Sequence, residues 1–248
     1  MIEDDPDDFV PHESLLQEGG LHASGPEGAD RGLAFSSLTP DQLLDALESV
    51  GLRPDGRLLA LNSFENRVYQ VGIEDEKPLI AKFYRPARWS DAAILEEHAF
   101  TAELAEREIP VVPPLALAGG TLHHFGNMRF ALFMRQSGRA PELDDPDTLR
   151  WMGRFLGRIH AVGALRPFAE RPAIGIETFG IESRDFLLQN DFLPPELLAA
   201  WRSVADQALE GVAHCFERAG RVAAIRLHGD CRIVIGCQTT IVSRKRCH

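Results

Sequence analysis

One lysine constrains this sequence more than any other residue. The chain carries 26 lysines and arginines, and only Lys77, Lys82 and Lys245 are lysines, so arginine supplies positive charge almost everywhere else. Lys82 lies inside Pro78-Leu79-Ile80-Ala81-Lys82-Phe83-Tyr84, an apolar run whose length and bulk predict a buried strand. A charge in such a strand needs a partner, because an unpaired ion taken out of water is costly. A compact ammonium on a flexible stem suits an anion met as a point charge, above all a phosphate. A plain meander whose lysine head snorkels to solvent fits the same residues.

The neighbours narrow the choice. Arg57–Leu61 and Arg67–Ile73 read as strands, and between them Asn62-Ser63-Phe64-Glu65-Asn66 is a polar turn able to offer backbone N–H groups and a hydroxyl to an anion. Ser63, Glu65 and Asn66 are therefore candidate binding residues together with Lys82. After Arg85-Pro86-Ala87-Arg88-Trp89, Ser90 caps a helix expected from Asp91 to Arg107, with Ile94, Leu95, Ala99, Phe100 and Leu104 at helical spacing. Glu96 and Glu97 sit beside that stripe. Glu97 is the preferred partner for Lys82 and Glu96 the alternative; two solvated surface acids is the bland reading. Strand, polar turn, strand, acidic turn at Glu74–Lys77, lysine strand and acidic helix follow one another as in the small lobe of a kinase.

Elsewhere the pattern predicts an α+β fold. Residues 1–34 hold nine acids, three prolines and five glycines with scattered apolar positions, and are expected to be a disordered tail. Thr39-Pro40-Asp41-Gln42 is a capping box opening a helix with Leu43, Leu44, Leu47 and Val50 on its apolar face and Gly51 at its end. Leu115–Ala118, Thr121–Phe125 and Arg129–Phe133 supply two or three further strands of a mixed sheet, which completes a small lobe over 35–135. Around Ser137-Gly138-Arg139 the chain turns polar, as at a hinge. Residues 136–231 then read as a helical lobe. Asp145 caps a helix over 146–162, whose Gly153 and Gly157 permit close packing, and further helices are expected near Ser183–Gln189 and from Pro195 to Ala219. Arg221–Leu227 reads as a short strand delivering His228-Gly229-Asp230. An aspartate held rigidly across a cleft from a lysine strand is what phosphoryl transfer to a hydroxyl requires.

The net charge of −11 argues against a general nucleic-acid or anionic-membrane partner. No run of 18 apolar residues occurs and the N-terminus is acidic, so a cytoplasmic protein is expected. The four cysteines, Cys215, Cys231, Cys237 and Cys247, match no common zinc spacing and are expected as free thiols.

Six segments taken in order, LNSFENRVYQV, AKFYRPARW, ILEEHAF, MGRFLGRIHAVG, RPAIGIETF and RLHGDC, resemble the bacterial stress response kinase A family, within the aminoglycoside-phosphotransferase and choline-kinase-like group. The resemblance spans about Phe35 to Cys231. It implies a two-lobed, protein-kinase-like fold and a cytoplasmic enzyme that uses ATP and Mg²⁺ to phosphorylate serine and threonine of protein substrates in a stress response; a monomer is expected. It also implies roles for single residues: Asp230 as catalytic base, Lys82 as the phosphate lysine, Glu97 (or Glu96) as its ion-pair partner, and Ser63 with its turn as the ATP-phosphate loop. A small-molecule hydroxyl kinase and a non-catalytic nucleotide-binding module are the competing readings.

The likeness stops after Cys231. The family continues His-Gly-Asp-Cys-His-x-Gly-Asn, the asparagine holding Mg²⁺, and then an aspartate-rich strand; here Ile235 stands in the asparagine's place, and no metal ligand can be assigned. Residues 231–248 hold four basic residues and no acid, whereas residues 1–230 hold 22 basic and 37 acidic ones. That break predicts an aberrant basic tail over 232–248 from a shifted reading frame or truncation, a chain impaired in catalysis, and exposed apolar faces on the helices at 146–162 and 195–219.

Overall fold

A computed structural model describes residues 38–63, 65–136 and 144–227. The expected N-terminal tail, the hinge tripeptide at 137–139, His228-Gly229-Asp230 and the basic C-terminal segment lie outside the described residues. In chain order the elements are α1 (Pro40–Glu48), β1 (Pro54–Leu61), β2 (Arg67–Ile73), β3 (Leu79–Tyr84), α2 (Asp91–Glu106), β4 (His123–Phe125), β5 (Met128–Met134), α3 (Pro146–Gly163), a π-helical turn (Glu177–Ile181), α4 (Glu182–Gln189) and α5 (Leu198–Ala219).

The five strands form one sheet in the order β1-β2-β3-β5-β4. Every pairing is antiparallel, so the expectation of a mixed sheet is corrected. Connections of five, five and two residues join β1 to β2, β2 to β3 and β4 to β5, and connections that short reverse a strand. Leu115–Ala118 is not a strand either. Around it the chain makes the isolated bridges Pro114↔Phe133 and Leu117↔Gly120, and the Leu115 N–H donates to the Leu132 carbonyl at 2.7 Å; no ladder extends from them, because Pro113 and Pro114 withhold N–H donors and the backbone turns at Ala118 and Gly119, where φ is 46° and 85°.

β3 occupies the centre, with Lys82 opposite Val68 of β2 and Ala131 of β5. Alternation along β3 sends Leu79, Ala81 and Phe83 into a core shared with Leu43, Ala46 and Leu47 of α1, while Ile80 and Tyr84 pack with Ile94 of α2. Lys82 falls in register with the second set and therefore faces α2. On the first face Phe83 stacks on Phe130 with centroids 5.3 Å apart. The α1 capping box forms as expected: Thr39 Oγ1 accepts from the Gln42 N–H at 3.3 Å, and Gln42 Oε1 accepts from the Thr39 N–H at 3.1 Å.

α2 begins where Ser90 Oγ accepts the Ala93 N–H at 3.1 Å. Its buried residues are Ala93, Ile94, His98, Phe100, Thr101 and Leu104, whereas Leu95 and Ala99 of the expected stripe are exposed. The sheet covers one side of α2. Another side packs Phe100 and Leu104 against Phe155, Ile159 and Val162 of α3. That helix therefore covers most of its apolar face, contrary to expectation, although Leu149 stays exposed. Gly153 and Gly157 face open space and mediate no close packing; Gly163 does, since a Cβ there would collide with the Arg226 carbonyl. α5 buries none of its residues among those described, and Val204, Val212 and Phe216 stand exposed on it.

Residues 221–227 form no strand, and no sheet edge among the described residues receives them. The segment is held by Arg226, whose N–H donates to the Gly163 carbonyl at 3.2 Å.

Candidate active site

The site is assembled around Lys82. It is the least buried residue of an otherwise buried β3, and its side chain is 13% exposed. Its Nζ lies 3.5 Å from Glu97 Oε1 and 4.9 Å from the centre of the Tyr84 ring. Glu97 is in turn held by a second cation, with Arg171 Nη1 donating to its Oε2 at 2.7 Å. Burial works to raise the Glu97 carboxyl, but Lys82 and Arg171 outweigh it and hold the group below the usual carboxylate range.

The neighbouring acid has a different task. Glu96 Oε1 accepts the N–H of Ala169 at 2.6 Å, and its Oε2 accepts those of Glu170 and Arg171 at 3.0 and 3.1 Å. These three bonds keep the Glu96 carboxyl below its ordinary range against the opposing effect of burial. Two adjacent glutamates thus divide the work: Glu97 turns to the strand lysine, and Glu96 pins a loop that enters from beyond α3.

The turn before β2 leads toward the same end of the sheet. Ser63 Oγ donates to the Leu61 carbonyl at 3.4 Å, and Asn66 Oδ1 accepts the Arg85 N–H at 3.2 Å, tying the turn to the end of β3. Glu65 is engaged by Arg88 at 2.8 Å, and the Arg88 guanidinium lies 4.7 Å over the Trp89 ring. Asp230 lies outside the described residues, so the structure joins Lys82 to Glu97 but does not report on the aspartate. Of the four cysteines only Cys215 is described, and its thiol is free and exposed.

Three residues that sequence reasoning missed surround this centre. His98 is 4% exposed, its Nε2 2.7 Å from the Tyr84 hydroxyl and its Nδ1 2.9 Å from Thr121 Oγ1. Burial lowers its pKa to about 4. The spacing Ile94, His98, Thr101 is itself a helical stripe and could have marked His98 as inward-facing. Arg171 opens the RPAIGIETF segment, but nothing local to it points toward Glu97. Arg226 is 3% exposed; its guanidinium reaches Glu103 Oε2 at 2.8 Å and the Val162 carbonyl at 3.0 Å, and lies 4.4 Å from the centre of the Phe100 ring. It fastens the chain to α2 and α3 just ahead of residues 228–230.

Chemically, an ammonium held between a carboxylate and an aromatic face can meet a phosphate group as a point charge. A divalent ion is another matter. No group of three His, Cys, Asp or Glu side chains able to hold a metal occurs among the described residues, and the acid closest to Lys82 already serves two cations. The described residues therefore assign no step to a metal. Among them no helix is long and apolar enough to cross a membrane.

The chain is 41% identical to stress response kinase A of Salmonella choleraesuis and of Salmonella typhi over 82% of its length, and it spans 61% of the length of those relatives. The same identity and coverage hold for a Salmonella typhimurium protein named serine/threonine protein kinase RdoA. Two solved structures share the fold at low identity. An amicoumacin kinase superposes with a TM-score of 0.56 at 15% identity, covering 73% of this chain and 55% of that one. A spectinomycin phosphotransferase superposes with a TM-score of 0.53 at 12% identity, covering 84% and 69%. The model of the phosphotransferase enzyme family matches residues 57–233, which include the lysine strand, both glutamates, Arg171 and Asp230. The chain is an α+β protein of kinase-like fold, homologous to stress response kinase A, and it belongs to the phosphotransferase enzyme family.

Proposed function

We propose that this protein transfers the γ-phosphoryl group of ATP to serine and threonine hydroxyls of proteins, as a cytoplasmic enzyme of a stress response. The observation that carries the reading is the Lys82–Glu97 ion pair between the central strand and α2, 3.5 Å apart and largely shielded from water. In this reading ATP supplies the phosphoryl group, and Lys82 binds its phosphate oxygens while Glu97 fixes the direction of the ammonium. Ser63 and the backbone of its turn close over the phosphates. Asp230 orients the acceptor hydroxyl and takes its proton. The 41% identity to proteins named as stress response and serine/threonine kinases supports a protein acceptor over a small hydroxyl compound.

Residues 231–248 contain no asparagine, aspartate or glutamate. A polypeptide of these 248 residues assayed alone is therefore expected to bind ATP and to transfer its phosphoryl group slowly, since carboxylate and carbonyl oxygens are what Mg²⁺ takes from a protein. The test has two arms. Calorimetric titration with ATP is expected to show binding that Lys82→Met weakens by about tenfold or more, the loss of one charge-assisted phosphate contact. Prolonged incubation with γ-labelled ATP, Mg²⁺ and either myelin basic protein or an aminoglycoside is expected to label the protein on serine and threonine. Binding indifferent to Lys82, or label confined to the small compound, refutes the reading.

A further inference from the structure

The Glu97 carboxylate is unequally shared. Arg171 holds one oxygen at 2.7 Å, the length of a charge-assisted hydrogen bond, while Lys82 stands 3.5 Å from the other, at the limit of one. The arginine is also the better anchored of the two cations. Its guanidinium lies 4.6 Å over the Trp89 ring and 5.9 Å from the centre of the Phe168 ring, and its Nη1 reaches the Ala93 carbonyl at 3.5 Å. Its backbone N–H is held by Glu96 at 3.1 Å. A planar guanidinium can stack and donate in its plane together, which a lysine cannot.

We propose that Arg171 is a positioning residue for Lys82: fixed by its stacked rings and by the loop that Glu96 pins, it holds the Glu97 carboxylate so that one oxygen directs the ammonium without capturing it. The proposal rests on the nucleotide reading above. Its logic is competitive. A half-buried carboxylate with Lys82 as sole cation would draw the ammonium into a close pair and away from any phosphate. With Arg171 taking the short bond, Lys82 keeps donors for a ligand, and Glu97 keeps its orientation when that ligand binds. The same contact makes nucleotide affinity depend on a loop 74 residues further along the chain.

The test is a double-mutant cycle on the full chain, read by ATP affinity. Arg171→Met keeps an apolar stem against Trp89 and Phe168 while removing the fork. It is expected to weaken ATP binding by about tenfold in the otherwise native chain and by less than about twofold when Glu97 is already Gln, the non-additivity of residues that act through each other. Equal losses in both backgrounds, or none in the native one, overturn the proposal, because a merely structural arginine contributes additively. Lys82→Met separates this outcome from failure of the parent reading. ATP binding that ignores Lys82 refutes the nucleotide site and this inference with it, whereas dependence on Lys82 together with additive Arg171 effects refutes the inference alone. If Arg171→Met does not give a cooperative melt, Arg171→Lys is put through the same cycle under the same criterion, with a smaller loss expected because the charge remains.

Discussion

Acid should destabilise this fold through His98 before it does so through the carboxylates. Burial lowers the imidazole from its ordinary 6.5 to about 4; the Glu97 charge works in the opposite direction, and Lys82 and His123 add to the lowering. Hydrogen bonding alone does not keep the ring neutral, since the Tyr84 and Thr121 hydroxyls could both accept from an imidazolium. The cost of placing a charge in that pocket does. A depressed histidine pKa means that the unfolded chain binds the proton first. The stabilisation is complete above pH 6.5 and is lost as pH falls from there through about 4.

The full difference corresponds to about 3 kcal/mol, and the part lost between pH 7 and pH 5 to about 2 kcal/mol. That is a large share of the stability of an ordinary domain. Urea unfolding of the full chain at pH 7, 6 and 5, beside the His98→Gln variant, reads it directly. The variant is expected to be less stable at pH 7 but to lose much less on acidification, so the two midpoints converge near pH 5. Parallel losses, or an NMR titration placing His98 above pH 6 in the folded chain, would refute the argument that burial sets its charge.

Other consequences are local. Glu96→Ala removes the acceptor of three backbone N–H groups at residues 169–171; a stability loss of about 1–3 kcal/mol is expected, with earlier proteolytic cleavage in that loop, and unchanged cleavage there would count against the anchoring role. Gly163→Ala places a methyl against the Arg226 carbonyl and should cost about 1–3 kcal/mol in denaturant unfolding, whereas Gly157→Ala, facing open space, should be neutral or mildly stabilising; equal effects would refute the close approach.

What the sequence disclosed follows from how each signal is encoded. The β3 strand and its lysine were legible because an apolar run interrupted by one rare residue type is a local pattern. The α1 cap was legible for the same reason, since Thr39 and Gln42 satisfy each other within one turn. The extent of α2 was equally local, but its faces were not. Leu95 and Ala99 extend an apolar stripe that the fold leaves in solvent, while His98 and Thr101 are buried because Tyr84, Thr121 and the Glu97 carbonyl satisfy their polar atoms. Those partners come largely from other elements, so periodicity in α2 could not announce them. Arg221–Leu227 reads as a strand by its own residues, yet strand formation needs a free sheet edge in reach, and Arg226 instead carries the segment to α2 and α3.

The two glutamates make the same point at the centre of the site. Neighbouring residues on a helix point about 100° apart, so a pattern can place Glu96 and Glu97 near the lysine strand without saying which one reaches it. The decision lies in the loop at 168–171. Once that loop offers three N–H groups to Glu96, rotating α2 to bring Glu96 onto Lys82 would strand those donors and separate Arg171 from Trp89. Glu97 meets the lysine because its neighbour is already occupied. The strand, the helix and the loop therefore fix the pair jointly, and a change in the loop should be felt at Lys82 although no bond joins them.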